Sequence, residues 1–299
     1  MASLEFLQRQ IHTAEELRAV VKMMKVLAAV NIHQYEHAVT SLAEYNHTIE
    51  MGLHIVLKST HNDRSMNDTR ASLTCCVGRC GVIIFGSDQG MCGQFNEQVS
   101  RHAIAEIEKL QIPPEQLAVF AVGSRIIPHL EIAGYKIEQN FAMPSSLAGI
   151  TSMVQELLLH IATWRDRHQV GRILLFYNNL QSNTFYEPSQ HQLLPLDRLW
   201  LQKIEKQEWR SRTIPTFTMP SDALISSLLR QYFFISLYRA FGESLASENA
   251  SRLASMQVAE KNIEDRLSEF TNEFQQERQS AITGELLEII SGFELSRWN

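Results

Sequence analysis

Apolar and small residues recur at alternating steps of three and four at both ends of this chain. Between the ends, the pattern changes to short, continuous apolar runs. In the first segment, Ser3 to about Ser59, Leu4, Leu7, Ile11 and Ala14 begin the spacing. Leu17, Val21, Met24, Ala28, Ile32, Tyr35, Val39 and Leu42 continue it, with Gly52 the only glycine and no proline. From Ser221 to Trp298 there is again no proline, and only Gly242, Gly284 and Gly292 interrupt. There the spacing runs through Leu253, Met256, Ile263, Leu267, Phe270 and Phe274, with Glu260 as the exception. Heptad steps of this kind mark a coiled-coil seam rather than a helix lying on a sheet. Behind Pro220, Ser221 or Asp222 is the expected N-cap of the second helix. At ~1.5 Å per residue that helix would be about 115 Å long. Neither helix buries its stripe alone, so the pattern predicts that the two pair antiparallel.

The middle of the chain has a different period. Residues 61–74 are polar (Asn62, Asp63, Arg64, Ser65, Asn67, Asp68) and read as a loop. Strands are expected at Gly81–Phe85, at Leu117–Val122, in a short piece at Tyr135–Ile137 and at Arg172–Tyr177, with an edge strand at Gln190–Pro195. Helices are expected at Asn96–Leu110 and Leu147–Arg167. Strands alternating with helices imply a mostly parallel sheet with helices on its faces. The segment 197–218 is a polar link with scattered aromatics and no assignable structure. The predicted class is therefore α/β, a long antiparallel coiled coil with an inserted α/β domain. Its divisions are 1–59 (first coiled-coil helix), 60–219 (α/β domain with flanking loops) and 220–299 (second helix and tip).

Because the insert joins both helices at one end, pairing Leu57 with Pro220 sets a register in which partner numbers total about 277. Met24 then faces the neighbourhood of Leu253, and Leu4 faces Glu273. Beyond Phe274 about 24 residues, some 36 Å of helix, have no partner in the chain. This tip carries Ile282, Leu286, Leu287, Ile289, Ile290, Phe293, Leu295 and Trp298. A single helix with apolar residues on more than one side requires an external apolar sleeve.

Composition narrows the function. The 299 residues are 44% hydrophobic and 20% charged, with a net charge of −6, which argues for a folded chain and against a nucleic-acid partner. No apolar run approaches the ~20 residues of a membrane span, and the first ten residues lack an export signal. Any membrane association is then expected through other proteins. Cys75, Cys76, Cys80 and Cys92 lack the paired Cys-x-x-Cys spacing of zinc sites, so neither metal nor disulfide is expected and a reducing, cytoplasmic compartment fits.

Candidate chemistry is sparse. The turn Gly86–Gly93 follows a strand and opens a helix, the place of phosphate loops, but its glycine spacing fits neither the dinucleotide fingerprint nor a P-loop. It reads as a tight strand-to-helix turn with its amides capped by Asp88. His33 and His37 stand one turn apart without an acidic or cysteine partner, so no metal is expected there. No nucleophile elbow, His-Glu-x-x-His or Cys/His pair occurs, so no catalytic residue and no cofactor is expected. Arg252 and Arg278 stand among Glu248, Glu260, Glu264, Asp265, Glu269, Glu273 and Glu277, where ordinary surface pairing along the helix is the simple expectation.

Three stretches together resemble one family, the gamma subunits of F-type ATP synthases. GSDQGMCGQFN is similar to that family's Ser-Asp-x-Gly-Leu-Cys-Gly-x-Tyr/Phe-Asn signature, with Met91 in the leucine place. SENASRLASMQVAEKNIEDRL and RQSAITGELLEIISGFE resemble its C-terminal helix, and VVKMMKVLAAV resembles its first helix. The resemblance implies a divergent bacterial form of the central rotor shaft, not itself catalytic. It would lie in the bore of a hexamer of alpha and beta subunits, with the insert bound to the epsilon subunit and the membrane c-ring. It would be peripheral, on the cytoplasmic face of the bacterial inner membrane. Lys22, Met24, Lys25 and Arg252 match family positions that meet the catalytic subunits. Arg278, Gln279, Thr283 and Glu285 match the upper shaft contacts, and Ile282, Leu286, Ile289, Ile290 and Phe293 match the bearing tip. Three departures stand out: the first helix carries Glu5, Glu15, Glu16, Glu36, Glu44 and Glu50 where the family is usually basic, Gly284 replaces a longer polar residue, and there is no insertion carrying a regulatory cysteine pair as in chloroplast relatives. The competing expectations are an α/β nucleotide-binding enzyme dimerised by its coiled coil, and a coiled-coil adaptor of unrelated function.

Overall fold

The computed structural model describes residues 4–59, 78–168, 170–182, 185–206 and 215–296. The loop expected at 61–74, with Cys75 and Cys76, lies outside them. Two compact units are distinguished: Met1–Ala28 with Leu253–Asn299, and Ala29–Arg252. The first helix, α1, runs from Leu4 to Ser59, and the last, α6, from Ser221 to Ser296. Because α6 begins at Ser221, Ser221 and Asp222 stand inside its first turn rather than ahead of it as a cap.

The larger unit is built on a five-stranded sheet. Its strands are β1 (Arg79–Phe85), β2 (Leu117–Val122), β3 (Ile137–Phe141), β4 (Val170–Ser182) and β5 (Phe185–Leu194). The order is β3-β2-β1-β4-β5, parallel except for the antiparallel β5 at one edge. Strand residues alternate between two cores, as a two-residue period requires. Ile83, Phe85, Phe120, Ile173 and Leu175 face one core, with Ile150, Val154, Leu157 and Ile161 of α4 (Leu147–His168) and with α6. Val82, Ile84, Val119, Leu174 and Phe176 face the other, under α2 (Phe95–Lys109) and α3 (Ile127–Ile132). Burial on both faces is why β1 and β2 read as uninterrupted apolar runs.

The sheet departs from expectation where its residues are polar. β3 lies at 137–141 rather than 135–137, and its Glu138, Gln139 and Asn140 are exposed, so no apolar run marks this edge strand, which is held by its ladder to β2. β4 and β5 extend through Asn178, Asn179, Glu187 and Pro188 as a long hairpin where two short strands were expected. The polar link contains a further helix, α5 (Arg198–Lys206), whose Ile204 packs beside Ile49, Leu53, Leu57 and Ile235.

Within the larger unit, α1 and α6 meet one turn away from the expected register. Asn31 bonds Asn249, a Cβ on Gly242 would meet Val39, and one on Gly52 would meet Leu228, so partner numbers total 280 or 281 rather than 277. The anchor was misplaced, since α1 continues to Ser59 and α6 starts at Ser221. Gly242 is required by this approach: an added Cβ would lie 2.6 Å from Val39 Cγ2. Nothing lies within 4 Å of such an atom on Gly284. Opposite effects are expected from the same substitution. Gly242→Ala should destabilise by about 1 kcal/mol net in a denaturation experiment, overpacking outweighing the helix gain. Gly284→Ala should slow amide exchange in its own turns about threefold. Equal signs at the two positions would contradict the close approach.

Within the smaller unit, Lys25 hydrogen-bonds Glu260. This accounts for the one charged residue in the α6 seam, which carries its partner's opposite charge instead of an apolar side chain. The hydrogen bond from Lys25 holds the Glu260 carboxyl below the usual range, against the effect of burial. Arg18 and Lys22 add to the lowering. Ala14 and Leu17 line a groove with Ile263 and Phe270. Leu17, expected in the seam, is 53% exposed at its rim.

Candidate functional site

The Gly86–Gly93 turn is braced from within. The amide of Ser87 donates to Asn96 Oδ1 (2.9 Å), and Asn96 Nδ2 donates back to Ser87 Oγ (2.9 Å). Ser87 Oγ in turn reaches Gln89 O (3.1 Å) and lies 3.5 Å from Cys92 Sγ. Asp88 accepts the amides of Ser124 (2.7 Å) and Met143 (2.6 Å), so it caps the loops after β2 and β3 rather than its own turn. Spending the Ser87 amide on Asn96 works against anion binding, because that donor is no longer free, and the Asp88 carboxylate in the same turn repels an anion. At the crown of the turn Met91 has a φ of 60° and is 62% exposed.

Arg252 is not the surface cation that its acidic neighbourhood suggests. It is 7% exposed, and Nη2 donates to Glu248 Oε1 (2.6 Å) and to Gly90 O (3.5 Å). Nη1 lies 3.5 Å from Asn249 Oδ1. Burial raises the Glu248 carboxyl above its ordinary range, Arg252 opposes that, and Asp88 adds to it. Tyr35, buried close by, is raised by the same burial and by Glu248. An i, i+4 pair was expected here, and one forms, but out of water, where it holds the Gly90 carbonyl.

The remaining shaft residues separate into two groups. On α1, Lys22 is exposed, Met24 is half-buried and Lys25 is committed to Glu260. On α6, Arg278, Gln279, Thr283 and Glu285 are all exposed, with Thr283 Oγ bonded to Gln279 O (2.8 Å). Ile282, Leu286, Leu287, Ile289 and Ile290 are 49–61% exposed, and Phe293 lies in the helix with its side chain outside the described residues. A second α1 stripe that the seam spacing does not include, Val20, Met23, Leu27 and Val30, is exposed at heptad spacing. Its signal was in the sequence, one or two positions before the seam. Among the described residues no group of three or more His, Cys, Asp or Glu side chains is placed to hold a metal, and no helix is long and apolar enough to cross a membrane.

The family model described as ATP synthase matches residues 3–295. The ATP synthase gamma chain of Phocaeicola vulgatus is 25% identical over 297 residues, covering 98% of this chain and 99% of that one. That of Buchnera aphidicola is 25% identical over 296 residues, covering 98% of each. Among solved structures, a chain of the Euglena gracilis mitochondrial ATP synthase (OSCP/F1/c-ring) superposes with a TM-score of 0.61 at 16% identity. It covers 97% of this chain and 93% of its own length. A chain of the Tetrahymena thermophila central stalk and c-ring gives 0.54 at 16%, covering 80% and 99%. At these identities the structures establish the fold.

Proposed function

The chain belongs to the ATP synthase family, and from that premise we infer that it is the gamma subunit, the central stalk of an F-type ATP synthase. The observation that carries the reading is the tip of α6, whose aliphatic residues from Ile282 to Ile290 stand in solvent on an otherwise regular helix. Such a helix end is completed by a sleeve, and a hexamer of alpha and beta subunits supplies one. The tip, with Phe293, turns in that bearing. Below it Arg278, Gln279, Thr283 and Glu285 meet the upper hexamer, and Lys22, Met24 and Lys25 meet the catalytic subunits lower down. Arg252 joins them only by exchanging Glu248 for a stator acid. The α/β unit binds the epsilon subunit and the membrane c-ring, which places the protein on the cytoplasmic face of the bacterial inner membrane.

The shaft carries no chemistry. Ion flow turns the ring, and each orientation of an asymmetric shaft favours a different state of each beta subunit. The shift is as large as the difference in its contacts with the two states. A nucleotide-binding enzyme is disfavoured by the internally bonded Gly86–Gly93 turn.

Affinity purification of the tagged chain from its native membrane tests the reading. Alpha, beta and ring subunits are expected to co-purify with ATP hydrolysis activity, and the chain alone is expected to bind no nucleotide. Recovery without alpha and beta, or specific nucleotide binding by the isolated chain, overturns it.

A further inference from the structure

Seven of the ten residues from Glu243 to Arg252 are polar and at most 7% exposed. Burying polar groups costs stability unless each is bonded, and an apolar stretch of the same helix would pack without that cost. What apolar contact does not supply is direction: it is proportional to area and indifferent to angle. A hydrogen bond weakens steeply once its angle falls. Two bonds on one face of α6 tie it to β4 and to the Gly-rich turn after β1. Ser247 Oγ donates to Asn178 O on β4 (2.9 Å), sharing the proton with Glu243 O of its own helix (2.8 Å). One turn on, Ser251 Oγ donates to Cys92 O in the Gly-rich turn (2.6 Å) and lies 3.1 Å from the Tyr186 hydroxyl on β5. Asn178 also donates to Phe95 O at the start of α2, which holds the β4 anchor in place (3.1 Å).

We propose that Ser247 and Ser251, with Tyr186, form a hydrogen-bonded key that stops α6 from turning or sliding against the sheet when torque passes between them. They act as positioning residues in rotary coupling, touching neither nucleotide nor ion. The proposal rests on the rotor reading. A helix held only by Phe241, Leu237 and Leu245, which face the same core, would resist separation but yield more readily to rotation. Each serine instead meets its partners outside α6 at one helix angle only, Ser247 the Asn178 carbonyl and Ser251 the Cys92 carbonyl and Tyr186 hydroxyl, and a slip of a single residue moves its Cβ by about 100° around the axis.

The test uses the assembled complex carrying the Ser247→Ala/Ser251→Ala double variant, with Tyr186→Phe and Ser251→Ala singly. ATP hydrolysis by the detached, unloaded catalytic head should stay within about twofold of the parent, while ions pumped per ATP against an opposing gradient should fall about fivefold. Ser251→Thr, which keeps the hydroxyl, should restore the ratio. Ser244→Ala is the control, since its buried hydroxyl has no hydrogen-bond partner among the described residues and its loss should leave pumping per ATP unchanged. A merely structural role would lower thermal stability in all variants and leave the ratio alone. Parental pumping per ATP under load in the double variant overturns the proposal. If the double variant does not assemble, parental ratios in both Tyr186→Phe and Ser251→Ala overturn it equally. Failure of the parent chain to assemble with a hexamer would instead remove the rotor reading.

Discussion

Arg252→Ala is expected to destabilise the larger unit by about 3–5 kcal/mol, the cost of leaving one member of a buried ion pair alone. Both side chains of the Arg252–Glu248 pair are more than nine-tenths buried. Without the guanidinium, Glu248 faces burial and the Asp88 charge unopposed. The pH dependence follows from the direction of its shift. A carboxyl whose folded pKa is raised contributes stability that is full below its unfolded value and is lost as pH rises through the folded value. Removing Arg252 moves the folded value further up, so the deficit of the variant should grow from mild acid towards neutrality. Denaturation midpoints across that range measure it. A pH-independent deficit would mean that the pair does not govern this site. Replacing both partners, Glu248→Leu with Arg252→Met, should return stability to within about 1 kcal/mol of the parent, because similar apolar volumes fill the space without desolvating charge.

Leu286→Asp with Ile290→Asp should release the shaft from its complex. Each residue is 55% exposed in the free chain, so a sleeve that covers this exposed part contributes on the order of 1 kcal/mol per residue. Two carboxylates against an apolar wall add a desolvation cost beyond that. Retention of the subunit on the hexamer should therefore fall by about a hundredfold or more. Leu286→Met, which conserves volume and polarity, should be nearly neutral. The free subunit should become less prone to aggregate with the two aspartates, since the patch that drives association is broken. Full retention with coupled hydrolysis would show that the tip has no sleeve. Retention can be followed by gel filtration of the reconstituted complex.

Both effects depend on residues that the sequence marked, and the fold reinterpreted those of the first. Arg252 was conspicuous as a cation among acids, and its i, i+4 relation to Glu248 was legible from spacing. Its burial was not, because the Gly90 carbonyl that it holds is 162 residues away. Glu260 broke the seam pattern and looked like an error in the repeat. Its partner Lys25 was invisible without the register, and the register depended on helix ends that propensity locates only to within a residue or two. The tip was legible because nothing among the described residues covers it, so local pattern and final environment coincide.

The same division runs through the whole molecule. Helix period, strand runs and the polar or apolar character of each face are set by neighbours within a few residues, and these were determined by the sequence alone. Two long helices, a mostly parallel sheet between them and an uncovered aliphatic end all followed from it. Only the tertiary structure decided the length of the β4–β5 hairpin, the existence of α5, the one-turn shift in helix pairing and the use of Asp88 to cap two distant loops. Each of these depends on contacts outside the local segment: Ile204 of α5 packs beside Ile49, Leu53 and Leu57, and Asp88 reaches Ser124 and Met143. Their energy depends on geometry that no single segment contains: Asn178 and Glu187 make poor strand residues by propensity, yet the ladder pairs Asn178 with Pro188 and Asn179 with Glu187 because their backbone groups have no better partners.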